Sequence, residues 1–131
     1  MKYLLDTNTV IYFFKGMGQV AENLLKTAPK DIGIPAIVLF EIEVGLGKSH
    51  SPAKRREQLQ TLTNLVTIVP FSEEEAQAAA RIRAALEKKG TPIGPFDNLI
   101  AGTAMANACT LVTHNSKEFK RIKGLKVVDW Y

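Results

Sequence analysis

"KYLLDTNTV", residues 2–10, places an apolar run, Tyr3-Leu4-Leu5, directly before an ionisable Asp6, after which the chain turns apolar again from Asn8 to Phe14. A charged aspartate between two buried elements costs several kcal/mol if it has no partner. It therefore reads either as a helix N-cap, a position that Asp, Asn and Thr all favour, or as a metal ligand. The second reading suits the C-terminal edge of a parallel sheet, where open α/β folds place their sites.

The order of elements outward from this stretch supports such a sheet. Residues 2–5 predict a short buried strand, and 8–15 a helix ended by Gly16. Residues 18–28 predict a second helix, closed by Pro29. "DIGIP", 31–35, predicts a strand that runs into the helix "AIVLFEIEVGLG", with Gly45 and Gly47 marking its end. A polar, basic helix over 52–65 precedes the β-branched strand "VTIVP", 66–70. Ser72 and Glu75 form a capping-box pattern at the start of a helix that Gly90 closes. "TPIGP" is a rigid turn into a helix over 96–107. "TLVT", 110–113, and Val127-Val128 are the last strands. Strands alternating with helices predict an α/β fold with a parallel central sheet and helices on both faces.

The 131 residues predict one domain, 1–131, able to bury roughly two-thirds of its extended-chain surface. The 46% hydrophobic and 23% charged content is ordinary for a soluble globular protein. No apolar run is long enough to span a membrane, and the N-terminus has no signal-peptide shape. The lone Cys109 excludes an internal disulfide and a cysteine-based metal site, which suits a reducing cytoplasm, and it reads as a small core residue. The net charge of +4 is consistent with a polyanionic partner. Basic clusters at Lys48, Lys54, Arg55 and Arg56, at Arg81, Arg83, Lys88 and Lys89, and at Lys117, Lys120, Arg121, Lys123 and Lys126 each read singly as a solvated helix face. Together they predict a phosphate-attracting rim.

Four segments offer oxygen ligands at strand ends or helix starts. Asp6 ends the first strand, and Glu41 lies within the apolar helix. Asp97 sits in the first turn of a helix whose same face carries Ala101, Ala104 and Ala108. Asn115 and Glu118 follow "TLVT". Each also has a structural reading. Glu41 could pair with a basic neighbour, Asp97 could answer the helix dipole, and Asn115 with Glu118 fits a capping box. Glu43, about 200° round the helix from Glu41, reads as a solvated side chain. Clustered carboxylates repel one another unless cations intervene. Oxygen ligands without cysteine or paired histidine suit Mg²⁺ or Mn²⁺. Such ions activate water and stabilise charge on a phosphoryl oxygen.

"LLDTN", "EIEVG", "PIGPFDNLIAGTA" and "LVTHNSKEFKRIKGLKVVDW" resemble PIN-domain ribonucleases, and most closely the VapC-type toxins of bacterial toxin–antitoxin pairs. The resemblance runs from residue 2 to residue 130, in the family's order. It implies a PIN-like three-layer α/β/α fold with a mostly parallel sheet. It also implies Asp6, Glu41 and Asp97 as the acidic metal-site residues, with Thr7 and Asn8 orienting Asp6. Many PIN domains carry a fourth acidic residue where this chain has Asn115. Either the site holds one metal, or Glu118 replaces the missing carboxylate.

The implied function is a Mg²⁺-dependent endoribonuclease, with Mn²⁺ as a substitute. It would cut structured RNA, for this subgroup tRNA in the anticodon stem-loop. The implied partners are a VapB-type antitoxin laid across the acidic cleft and a second copy in a homodimer, through the helices around 36–65. A PIN nuclease acting on DNA or flap structures and a non-catalytic RNA-binding PIN domain are the rivals. The presence of Asp6, Glu41 and Asp97 together argues against the second, and the short chain has no added DNA-binding element to favour the first. His114 reads as a contact to RNA or to substrate water at most, and His50 as surface. Trp130 and Tyr131 could stack a base, but they read better as an aromatic pair packed on the last strand.

Overall fold

The computed structural model describes residues 1–131. In chain order the elements are β1 (Tyr3–Leu5), α1 (Thr7–Lys15), α2 (Val20–Leu25), a 3-10 turn (Pro29–Asp31), β2 (Ile32–Pro35) and α3 (Ala36–Lys48). There follow α4 (Ala53–Leu65), β3 (Thr67–Val69), α5 (Glu73–Lys88), α6 (Pro95–Ala106), β4 (Thr110–Val112), α7 (Ser116–Phe119) and β5 (Val127–Val128). The five strands form one sheet in the order β3-β2-β1-β4-β5, and every neighbouring pair is parallel. This is the α/β/α fold that the sequence pattern predicts.

The strands are apolar because the sheet is covered. Leu4 and Leu5 of β1, Ile34 of β2 and Leu111 and Val112 of β4 are fully buried, as expected for parallel strands packed on both faces. Topology then locates a crevice. From β1 the chain moves one way to β2 and β3, and later returns to β4 and β5 on the other side of β1. The order reverses between β1 and β4, and open α/β sheets leave a crevice at the carboxyl ends of such strands. Leu5 pairs with Val112 there, so Asp6 and Thr113 leave the sheet side by side.

The second helix is shorter than the predicted 18–28. Gly18 has a left-handed φ of +60°, and an added Cβ would lie 2.5 Å from the Tyr131 carbonyl oxygen. Residues 16–19 thus form a bend that receives the 129–131 segment, and the Gln19 N–H donates to Tyr131 O at 2.6 Å. In contrast, α3 runs past both Gly45 and Gly47 to Lys48. Those glycines are exposed, while Ile42 and Leu46 of the same helix are buried and hold it.

The last long helix, α6, is pinned against α5. A Cβ at Gly102 would come within 2.5 Å of the Ala79 Cβ, so the two backbones pass at close range. The buried Asn98 side chain donates to the Ala79 carbonyl at 2.8 Å. Ala101 and Ala104 are fully buried on α6, as their spacing predicts. Ala108 is not part of that face: the helix ends at Ala106, and Ala108 turns the chain toward β4 with a φ of 52°.

Candidate active site

Asp6 takes the cap role that its position allows. It is 4% exposed and is the N-cap of α1, with Oδ1 accepting the Thr9 N–H at 2.8 Å. Burial pushes its carboxyl above the usual carboxylate range, against the opposing pull of the Thr113 and Thr9 hydrogen bonds; the nearby Asp129 charge pushes it further up. The Thr9 hydroxyl donates to Val112 O at 3.0 Å, which ties the start of α1 to β4.

The resemblance implies that Thr7 and Asn8 orient Asp6, and the geometry differs. Thr7 Oγ1 donates to Glu41 Oε1 at 2.6 Å, across to α3, while the Asn8 side chain is exposed. Direction along the helix explains the exchange: Thr9 faces the sheet, and Thr7 faces the neighbouring helix. Glu41 is half-buried and forms no ion pair, so the basic-neighbour reading does not hold. Glu43 is exposed, as predicted, with a surface contact of 3.0 Å to Arg56.

Asp97 is where the acidic segments meet. Pro95 starts α6 after the extended Gly94, so Asp97 falls in the first helical turn. Its carboxyl is raised from 3.8 to about 6, first by burial and then by the charges of Glu118, Asp6 and Glu41. No cation answers it: the ion pairs of the chain lie elsewhere.

Asn115 and Glu118 join the same place without making the predicted capping box. Glu118 Oε1 accepts the Gly94 N–H at 3.2 Å, and Oε2 accepts the Asn115 side-chain amide at 2.7 Å. The Asn115 N–H donates instead to Thr113 Oγ1 at 3.0 Å. Glu118 therefore ties α7 to the turn before Asp97. Thr113, which serves both Asp6 and Asn115, carries no sequence signal beyond its place after a strand, and the sequence reading passes over it.

The fold thus gathers Asp6, Glu41, Asp97, Asn115 and Glu118, from four separate segments, at the switch point between β1 and β4. They form an open crevice; no three acidic, histidine or cysteine side chains close into a metal cage. The oxygen-only donors and the unneutralised Asp97 fit a hard divalent cation.

Beside the crevice, His114 Nδ1 lies 2.9 Å from Asp129 Oδ2, and its ring stacks on Tyr131 at 4.1 Å. Tyr12 packs edge-on against both rings. Neither aromatic forms the predicted pair on the last strand: Trp130 is buried against Tyr3 of β1, and Tyr131 is 40% exposed and packs on His114.

An all-parallel β3-β2-β1-β4-β5 sheet with acidic groups at its switch point defines a PIN-like α/β/α protein. The family model of the PIN domain matches residues 3–125, and the chain belongs to that family. Among curated relatives, the tRNA(fMet)-specific endonuclease VapC of Salmonella typhimurium is 32% identical over 130 residues, covering 99% of this chain and 98% of its own length. Ribonuclease VapC2 of Rickettsia felis is 37% identical over 132 residues, with the same coverage. Among solved structures, VapBC2 from Rickettsia felis bound to a DNA fragment from its promoter matches with a TM-score of 0.92 and 36% identity, covering all of both chains. DNA-bound VapBC from Salmonella typhimurium matches with a TM-score of 0.93 and 32% identity, covering 100% of this chain and 99% of that one.

Proposed function

We propose that this chain is the ribonuclease toxin of a VapBC-type toxin–antitoxin pair, one PIN domain over 1–131 that cuts RNA with the help of Mg²⁺ or Mn²⁺. The observation that carries the reading is Asp97: a half-buried carboxyl raised to about 6, first by burial and then by the charges of Glu118, Asp6 and Glu41, with no protein cation beside it. Asp6, Glu41 and Asp97 would hold the ion. Such an ion supplies activated water and stabilises charge on a phosphoryl oxygen.

The chain's own groups set the geometry. Thr9 and Thr113 hold Asp6, Thr7 aims Glu41, and Glu118 fixes the turn from which Asp97 starts. The retention of all three acidic residues supports a catalytic rather than a scaffolding role. The name of the Salmonella typhimurium relative supports tRNA as substrate, the initiator tRNA first; the anticodon stem-loop is the proposed site of the cut. Exposed loops suit such a crevice because their backbone can be splayed out.

The VapBC titles of the structural neighbours support a VapB-type antitoxin as partner; its proposed path crosses the acidic crevice, offering a basic side chain there. The exposed Phe40 and Val44 on α3 support a homodimer through the helices of residues 36–65. No helix is long and apolar enough to cross a membrane, and the cytoplasm, where tRNA is found, is the proposed location.

Purified protein free of antitoxin, incubated with total RNA, should yield discrete tRNA fragments only when Mg²⁺ or Mn²⁺ is present. Intact RNA under every condition would overturn the proposal. Within this scheme Glu118 positions the site, its oxygens turned toward the Gly94 N–H and the Asn115 amide. Glu118→Gln should then leave the half-maximal Mg²⁺ concentration within about threefold of the parent value. Glu118→Ala, which releases the 92–94 turn, should cost roughly 10–100-fold in activity, as loss of an outer support typically does. A Gln variant needing far more Mg²⁺ would make Glu118 a ligand.

A further inference from the structure

We infer that a basic groove next to the acidic crevice binds the phosphate backbone of the base-paired arm that flanks the cut loop of the RNA; this rests on the ribonuclease reading. Arg81 of α5, Lys89 at its C-cap, and Arg121 and Lys123 after α7 line one groove of about 260 Å³, over a floor that includes the buried Ile82 and Ile122. Two basic clusters far apart in sequence are thereby brought face to face.

The charges there are free. All four side chains are exposed, none forms an ion pair, and no acidic residue lines the groove. By contrast, Arg83 on the same helix is paired with Glu87. Four unanswered cations around a shallow, open groove repel one another until an anion enters, and their spread along the walls suits a run of phosphates better than a single small anion.

The groove also adjoins the crevice. Arg121 donates to Pro92 O at 3.2 Å, and Glu118, one helical turn earlier, accepts the Gly94 N–H at 3.2 Å. The 92–94 turn therefore has the acidic site on one side and the basic groove on the other. An acidic crevice repels a phosphodiester, so attraction for RNA has to come from charge beside it. This groove supplies that charge to the strand leaving the crevice.

The test is the double variant Arg81→Gln/Lys123→Gln, which leaves Arg121 and the crevice intact. Binding is measured in EDTA, so that no RNA is cut, to an initiator tRNA transcript and to a short single-stranded oligonucleotide of its anticodon loop, over a range of salt. For the tRNA, the slope of log affinity against log salt should become shallower by about 2, one unit for each lost phosphate contact. Affinity near 0.15 M salt should fall roughly tenfold, while the loop oligonucleotide binds as before. The charge-retaining Arg81→Lys/Lys123→Arg protein should restore the slope.

An unchanged tRNA slope, an equal loss for both RNAs, or a defect confined to antitoxin binding would each overturn the inference. Failure of the ribonuclease reading shows separately, as wild-type protein that leaves RNA uncut in Mg²⁺.

Discussion

Asp97→Asn is expected to reduce RNA cleavage below about one-thousandth, a loss of roughly 4 kcal/mol in transition-state stabilisation, and at the same time to make the metal-free protein more stable. The second effect follows from the raised carboxyl. Unfolded, Asp97 titrates near its ordinary 3.8; folded, near about 6. Between those values the folded state holds the extra proton, so stability falls as pH rises through this window, and above it the charged form carries the full cost. Because the side chain is only half-buried, solvent screening reduces that cost to about 1 kcal/mol. For a chain of this size the neutral Asn should raise the unfolding midpoint in chelator by roughly 3–6 °C at pH 7–8. The gain should vanish near pH 4. A clear drop in midpoint at neutral pH would instead make Asp97 a helix-dipole partner.

Asp6 separates the two readings of its own position. Asn caps a helix about as well as Asp, whereas Ala does not. Asp6→Asn should keep the Thr9 N–H contact, remove a buried charge and fold at least as stably as the parent. Asp6→Ala should lose about 1–2 kcal/mol. Both should cut RNA less than about one-thousandth as fast, the same ~4 kcal/mol scale. Substantial cleavage by Asp6→Asn would leave the cap as the whole role of this residue. Thermal unfolding and single-turnover cleavage on the same preparations distinguish these outcomes.

The strands were legible because a fully covered parallel sheet demands short apolar runs, and Leu4, Leu5, Leu111 and Val112 meet that demand without interruption. Asp6, Asp97 and Asn115 were legible because each interrupts or follows such a run where a solvated side chain has no reason to be. Helix ends were less so. Gly45 and Gly47 are stop signals in local terms, each costing about 1 kcal/mol relative to Ala, yet the burial of Ile42 and Leu46 carries α3 past them.

Side-chain direction was the hardest to read. Thr7, Asn8 and Thr9 are neighbours with similar chemistry, and only the placement of α3 and β4 decides that Thr7 serves Glu41 and Thr9 serves Asp6 and Val112. The Asn115–Glu118 spacing is a true capping-box pattern. The Gly94 N–H, presented by a distant turn, draws the Glu118 carboxylate away from the local one. At Ser72 the capping box survives, its N–H donating to Glu75 Oε1 at 3.0 Å, because the distant Asn107 amide takes only the other oxygen, Oε2, at 3.1 Å.

The chemistry of the cut ends tests the carboxylate site most directly, because water attack and attack by the RNA 2′-hydroxyl leave different products. His114, 2.9 Å from Asp129 and stacked on Tyr131, is the group in reach for the metal-free route. With Asp6, Glu41 and Asp97 holding a divalent ion, fragments should carry 5′-phosphate and ligatable 3′-hydroxyl ends. A 2′-deoxy substitution at the cut should still permit cleavage, and EDTA should abolish it until Mg²⁺ or Mn²⁺ is restored. Cyclic-phosphate and 5′-hydroxyl ends made by protein in EDTA would contradict the carboxylate site and assign the reaction to His114.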